Sequence, residues 1–107
     1  MSELSFSDET TRHRYEALRA GALAAYAEYN LLGDGDNIIM FTHTEVLPEF
    51  EGQGVGSAIA RHVLDEARSA GRQVIPVCQF IAGYIRKHPD YVSLVREDVR
   101  GPSRFRV

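Results

Sequence analysis

The chain has 107 residues, 12 Lys+Arg against 15 Asp+Glu (net charge −3), 44% hydrophobic residues and 25% charged ones. That is enough for one domain with one modest core, and the composition is that of an ordinary globular protein. The negative balance lacks the basic footprint of nucleic-acid binders, no apolar run reaches the roughly 18 residues needed to cross a bilayer, and a lone cysteine, Cys78, cannot form an internal disulfide. The polar, acidic start is not a secretory leader, so a cytoplasmic protein is expected that needs neither nucleic acid nor membrane.

In chain order, residues 1–11 read as a loose end. Leu18 to Tyr29 supports two readings. It is alanine-rich, which favours a helix, yet it runs into a turn signal with a strong strand beyond, which is a hairpin pattern. Gly33-Asp-Gly-Asp-Asn37 is that turn. Ile38 to Leu47 follows, rich in β-branched and aromatic residues, and predicts a strand covered on both sides. Strict alternation puts Ile39, Phe41, His43 and Glu45 on one of its faces. Val55, Ile59, Val63 and Ala67 recur at helical spacing, with Ala60 and Leu64 beside them and Gly71 as the stop. Gln73 to Cys78 predicts a short buried strand whose Pro76 marks an edge or bulge. Phe80 to His88 predicts a second short helix ended by Pro89, and residues 101–107 a loose tail.

Between the strand and the long helix lies Glu51-Gly-Gln-Gly-Val-Gly-Ser57. A strand, a glycine turn and a helix in that order make a natural anion site, because the first helical N–H groups lack internal partners and the helix dipole is positive there. A Walker loop is excluded by the missing lysine, and the dinucleotide pattern by the wrong glycine spacing. Phosphate binding and a plain turn both remain open on these residues alone.

The segment resembles the coenzyme A pyrophosphate loop of the GNAT-type N-acetyltransferases, Gln/Arg-x-x-Gly-x-Gly/Ala. With His43-Thr-Glu-Val46 before it, and Val74-Ile-Pro-Val-Cys78 and Tyr84-Ile-Arg-Lys-His-Pro89 after it, the order of blocks over residues 12–95 resembles the small single-domain members of that superfamily. The resemblance implies an α+β minimal GNAT fold, with a mostly antiparallel mixed sheet, a splayed central strand and two main helices. It also implies that Leu18–Tyr29 is a strand paired with Ile38–Leu47. One position departs from the pattern: Glu51 stands where Gln or Arg is usual, and a carboxylate cannot donate to phosphate. The resemblance then implies a cradle of backbone N–H groups across Gln53, Gly54, Val55, Gly56 and Ser57, with Glu51 turned away.

The implied activity is transfer of an acetyl group from acetyl-CoA to a primary amine by direct attack. That chemistry needs a base for the amine, a donor for the developing oxyanion and a proton for the leaving thiolate. His43 and Glu45 are the candidate bases, against a reading as ordinary polar strand residues. The resemblance places the oxyanion donor at the N–H of Val46 or Leu47. Cys78 is a candidate acetyl acceptor or thiolate acid, against a reading as an inert buried thiol. Tyr84 and Lys87 would contact the coenzyme near its sulfur and its phosphates, and Arg86 lies beside them. No metal is implied, and a dimer that completes the acceptor side stays open. The alternative reading is a CoA- or acyl-CoA-binding module without catalysis.

Overall fold

The computed structural model describes residues 3–99. Five strands form one sheet in the order β1-β2-β3-β4-β5: β1 (Leu4–Glu9), β2 (Arg14–Arg19), β3 (Ala22–Leu32), β4 (Ile38–Val46) and β5 (Gln73–Pro76). The first four run antiparallel and β5 lies parallel to β4. Two α-helices, α1 (Val55–Ser69) and α2 (Gln79–Lys87), complete the α+β fold. The implied fold class holds, and the strand expected to splay, β4, is an interior strand that parts from β5 toward its end.

Residues 4–9 depart from the expected loose end: they pair along their whole length with β2. Their sequence carries little apolar signal, and side-chain contacts hold them. Phe6 stacks on His62 of α1, with centroids 4.3 Å apart. Asp8 accepts a hydrogen bond of 2.5 Å from the Tyr29 hydroxyl. The expected tail at 101–107 lies outside the described residues.

The Leu18–Tyr29 segment is extended, but it is not one strand. Leu18 and Arg19 end β2, and Ala20 and Gly21, both at positive φ (52° and 80°), make the two-residue turn into β3. Such turns match the twist of a hairpin. The alanines favour helix locally, yet Ala17, Ala24, Ala25 and Ala27 are fully buried and α1 packs on β2 and β3. Small side chains there let helix and sheet approach closely, and tertiary packing overrides propensity.

Helix α1 buries Val55, Ile59, Ala60, Val63, Leu64 and Ala67, the predicted apolar stripe. Its end is a Schellman closure: Arg72 N–H reaches the Ala67 carbonyl (2.9 Å), Gly71 N–H reaches that of Arg68 (3.1 Å), and Gly71 takes φ +71°. Helix α2 covers the neighbouring part of the same sheet face, against β4 and β5.

The register of β3 with β4 slips at Thr42, because Tyr29 faces Phe41 while the adjacent Glu28 faces His43. One extra residue in β4 reverses the alternation beyond it. Phe41 therefore lies on the helix-covered face, with Thr44 and Val46 after it. His43 and Glu45 lie on the opposite face, beside Glu28 and Tyr26, and both are exposed. The strict alternation read from the sequence fails here, since it placed Phe41 and His43 together.

Three core tyrosines give the fold an alkaline limit. Burial, then the neighbouring Asp8 and Glu66 carboxylates, push Tyr15 up to about 12 from the ordinary 10. Burial and the hydrogen bond to Asp65 do the same for Tyr91, also to about 12, and Tyr29 moves in the same direction. A phenol whose folded pKa lies above its unfolded value gives stability that is whole below pH 10 and is lost as pH rises toward 12. Urea midpoints are expected to be level between pH 8 and 9.5 and to fall steadily above pH 10, tracked by phenolate absorbance. A flat midpoint to pH 12 would contradict this.

Candidate active site

Strand β5 pairs with β4 only from Ile38 to Phe41, and the Cys78 N–H closes the ladder on the Phe41 carbonyl (2.9 Å). Past that point β5 turns into α2, and residues 42–46 keep β3 on one side and, among the described residues, no strand on the other. Antiparallel alternation turns the backbone groups of β4 toward β3 and toward this open edge in turn. Leu47 N–H points to β3 and donates to the Ala24 carbonyl (2.9 Å). The N–H groups of Thr44 and Val46 consequently face the open edge. Of the two expected oxyanion donors, Leu47 is already engaged and Val46 is the one presented.

From that edge a groove of about 660 Å³ runs to the glycine loop, lined among others by His43, Glu45, Val46, Glu51, Gly54, Gly56, Ser57 and Phe80. Gly52 and Gly54 sit at φ +80° and +77°, and the space beside each is open. Gly54 caps α1, and the first intrahelical acceptor is its own carbonyl, bonded by Ala58 N–H (3.1 Å). The N–H groups of Val55, Gly56 and Ser57 thus have no acceptor within the helix. Gly56 has a different reason to be glycine: a Cβ there would sit 2.7 Å from Phe80 Cζ and 3.3 Å from Val46 Cγ2.

Gln53 turns away from the groove, where its amide meets Arg19 Nη1 from the end of β2 and donates to the Glu49 carbonyl (3.3 Å). Arg19 is a loop-pinning residue with no local sequence signal, because a hairpin and a strand intervene. Glu51 is among the residues that line the groove, beside Gly52.

His43 and Glu45 stand together. His43 Nε2 lies 3.1 Å from Glu45 Oε1, and the Tyr26 hydroxyl donates to the same oxygen (3.1 Å). The bond from His43, then that from Tyr26, lowers the Glu45 pKa. Glu45 therefore stays ionised and is the weaker base of the two. An ionised carboxylate only accepts, so Nε2 carries the hydrogen and Nδ1 holds the free lone pair. The Arg14 guanidinium covers the Tyr26 ring, 4.5 Å from its centroid, and its Nε donates to Glu16 (2.8 Å). Tyr26 and Arg14 were missed in the sequence because cross-strand partners are invisible without the register.

Cys78 is on the other side of the sheet from His43. Its thiol is buried at the start of α2 and donates to Thr44 Oγ1 (3.3 Å). Tyr84 and Lys87 line a cleft of about 260 Å³ at the Ser57 end, with Phe80 and His88. That cleft contains neither His43 nor Glu45, so Tyr84 is not beside the candidate base pair. Among the described residues no group of three or more His, Cys, Asp or Glu side chains could hold a metal ion, and no helix is long and apolar enough to cross a membrane.

The comparisons agree with this geometry. The profile of the GCN5-related N-acetyl-transferase family matches residues 14–94. The solution structure of a GCN5-like candidate N-acetyltransferase from Staphylococcus aureus matches over 90% of this chain and 91% of its own, with 25% identity and a TM-score of 0.66. No curated protein matches. With a family profile matched over most of its length, the chain belongs to the GCN5-related N-acetyltransferases.

Proposed function

We propose that this protein uses acetyl-CoA to acetylate a primary amine by direct attack. The observation that carries the reading is the single groove joining the open edge of β4, the His43–Glu45 pair and the N-terminus of α1. Acetyl-CoA fits this frame, since the positive-φ glycines leave open space beside backbone N–H groups. Bound there, it would supply a thioester carbonyl, to which the amine nitrogen would bond as the carbon–sulfur bond breaks and CoA leaves as its thiolate, free to take a proton from solvent. Val55, Gly56 and Ser57 would hold the diphosphate through backbone N–H groups. Val46 N–H would face the carbonyl oxygen as negative charge develops. His43 Nδ1 would take the proton from the amine, while ionised Glu45 holds the ring and stabilises its charged form. The acceptor would approach across the helix-free face, which places no wall beyond His43 among the described residues.

Cys78 has no part in this route, and its burial opposite His43 supports leaving it out. Cys78→Ala is expected to keep kcat within about twofold of the parent, with no acetylated Cys78 found by mass spectrometry after incubation with acetyl-CoA. An acetyl-cysteine that disappears on adding amine would replace direct attack with a two-step route.

The reading is tested by calorimetry with CoA and acetyl-CoA, followed by thiol release with a panel of amines. Binding with amine-dependent thiol release is the expected result. Binding without turnover on any amine would favour the non-catalytic CoA-binding module. No heat at millimolar ligand would end both readings. A cytoplasmic location accords with the lone reduced cysteine, and fractionation of cells would check it.

A further inference from the structure

On the helix-free face Tyr26 stands between two glutamates, opposite Glu16 of β2 on one side and Glu45 of β4 on the other. Its hydroxyl could donate to either carboxylate. Arg14 removes the choice, because its Nε and Nη2 both bond Glu16 Oε2 at 2.8 Å. The same guanidinium lies over the Tyr26 ring, a cation–π contact that helps to fix it. The hydroxyl goes to Glu45 Oε1 (3.1 Å), the oxygen that also meets His43 Nε2 (3.1 Å). The Tyr26 and His43 rings are 6.1 Å apart between centroids. Burial, and then the bond to Glu45, raise the Tyr26 pKa, so the phenol keeps its proton and remains a donor.

Resting on the reading of His43 as the base, we infer that Tyr26 is a positioning residue, which fixes Glu45 and through it holds the His43 ring at the groove. The pair needs such a hold. The side chains of His43 and Glu45 are 53% and 47% exposed. Two exposed chains bonded only to each other gain little, because both give up rotamer freedom to meet. Tyr26 has only two side-chain torsions and projects from an interior strand, so it is a firmer anchor than another long, flexible chain. Water can supply a donor to the exposed carboxylate oxygen, but it does not fix where that oxygen stands.

The test measures kcat, CoA affinity and the His43 rotamer in Tyr26→Phe, which loses the hydroxyl and keeps the ring. Turnover is expected to fall about threefold to fivefold, with CoA affinity and the melting curve unchanged. In the unliganded protein, three-bond couplings of His43 should report one χ1 rotamer in the parent and an average over several in Tyr26→Phe. Because Tyr26 acts through Glu45, Tyr26→Phe should add no further loss to that of Glu45→Ala. Unchanged kcat or unchanged couplings in Tyr26→Phe would overturn the inference, as would an equal further loss in the Glu45→Ala background. A parallel loss of CoA affinity would make Tyr26 a ligand contact and overturn it too. If the parent acetylates no amine, or His43→Ala turns over like the parent, the base reading fails and takes this inference with it. If His43→Ala is slow while Tyr26→Phe matches the parent, the inference alone fails.

Discussion

His43→Ala is expected to lower kcat by about 10²–10⁴ while leaving the affinity for CoA unchanged, because general-base catalysis contributes factors of that size. The split between turnover and binding is the informative part. His43 projects from the helix-free face and is no part of the glycine loop, so on the proposed route its loss would remove a proton acceptor and nothing that holds the ligand. Glu45→Gln should give a smaller loss, since a neutral amide still accepts from Nε2 but no longer stabilises a charged ring. Steady-state kinetics at saturating acetyl-CoA with calorimetry on each variant would measure both. Unchanged kcat in His43→Ala would remove it as the base, and a matching loss of CoA affinity would show that it binds the coenzyme instead.

The second large effect concerns the loop. Gly54→Val is expected to reduce CoA affinity by at least about tenfold, because a β-branched residue at φ +77° costs about 1–2 kcal/mol and the cap would shift to relieve it. The N–H groups of Val55, Gly56 and Ser57 would then no longer converge. Gly71→Val provides the control. It has a similar φ of +71° and open space beside it, but it closes the other end of α1. Both variants should lose comparable stability, and only the first should lose the ligand. Equal retention of CoA by the two would show that the loop is a plain turn.

Gly56 is a related case with a different cause. Its missing Cβ leaves room for the Phe80 ring, which lines the groove on one side and the Tyr84 cleft on the other. The glycine spacing was visible in the sequence, but the reasons differ. Gly52 and Gly54 answer to backbone conformation, and Gly56 to a side chain 24 positions along the chain.

Legibility followed the range of the interactions. Helix α1 was readable because its stripe from Val55 to Ala67 and its Gly71 stop are local, periodic facts. So was the β4 strand, from its β-branched and aromatic run, and so was the glycine turn between them. The family was legible because four short blocks stand in one order, and each is itself local.

What depends on pairing and packing was not legible. The alanines of β3 read as helix until α1 is laid on them, since only a neighbour's close approach makes small residues an advantage in a strand. The edge strand β1 carries only two apolar residues, Leu4 and Phe6, and is held by Phe6 on His62 and by the hydrogen bond from Tyr29 to Asp8. The extra residue at Thr42 belongs to the register of two strands together, and it alone decides that His43 and Glu45 share a face apart from Phe41 and Cys78. The sequence by itself determined the elements with their own periodicity and the loop between them. The tertiary structure decided which face the candidate base occupies and which N–H is presented, because each is a relation between segments that local sequence does not encode.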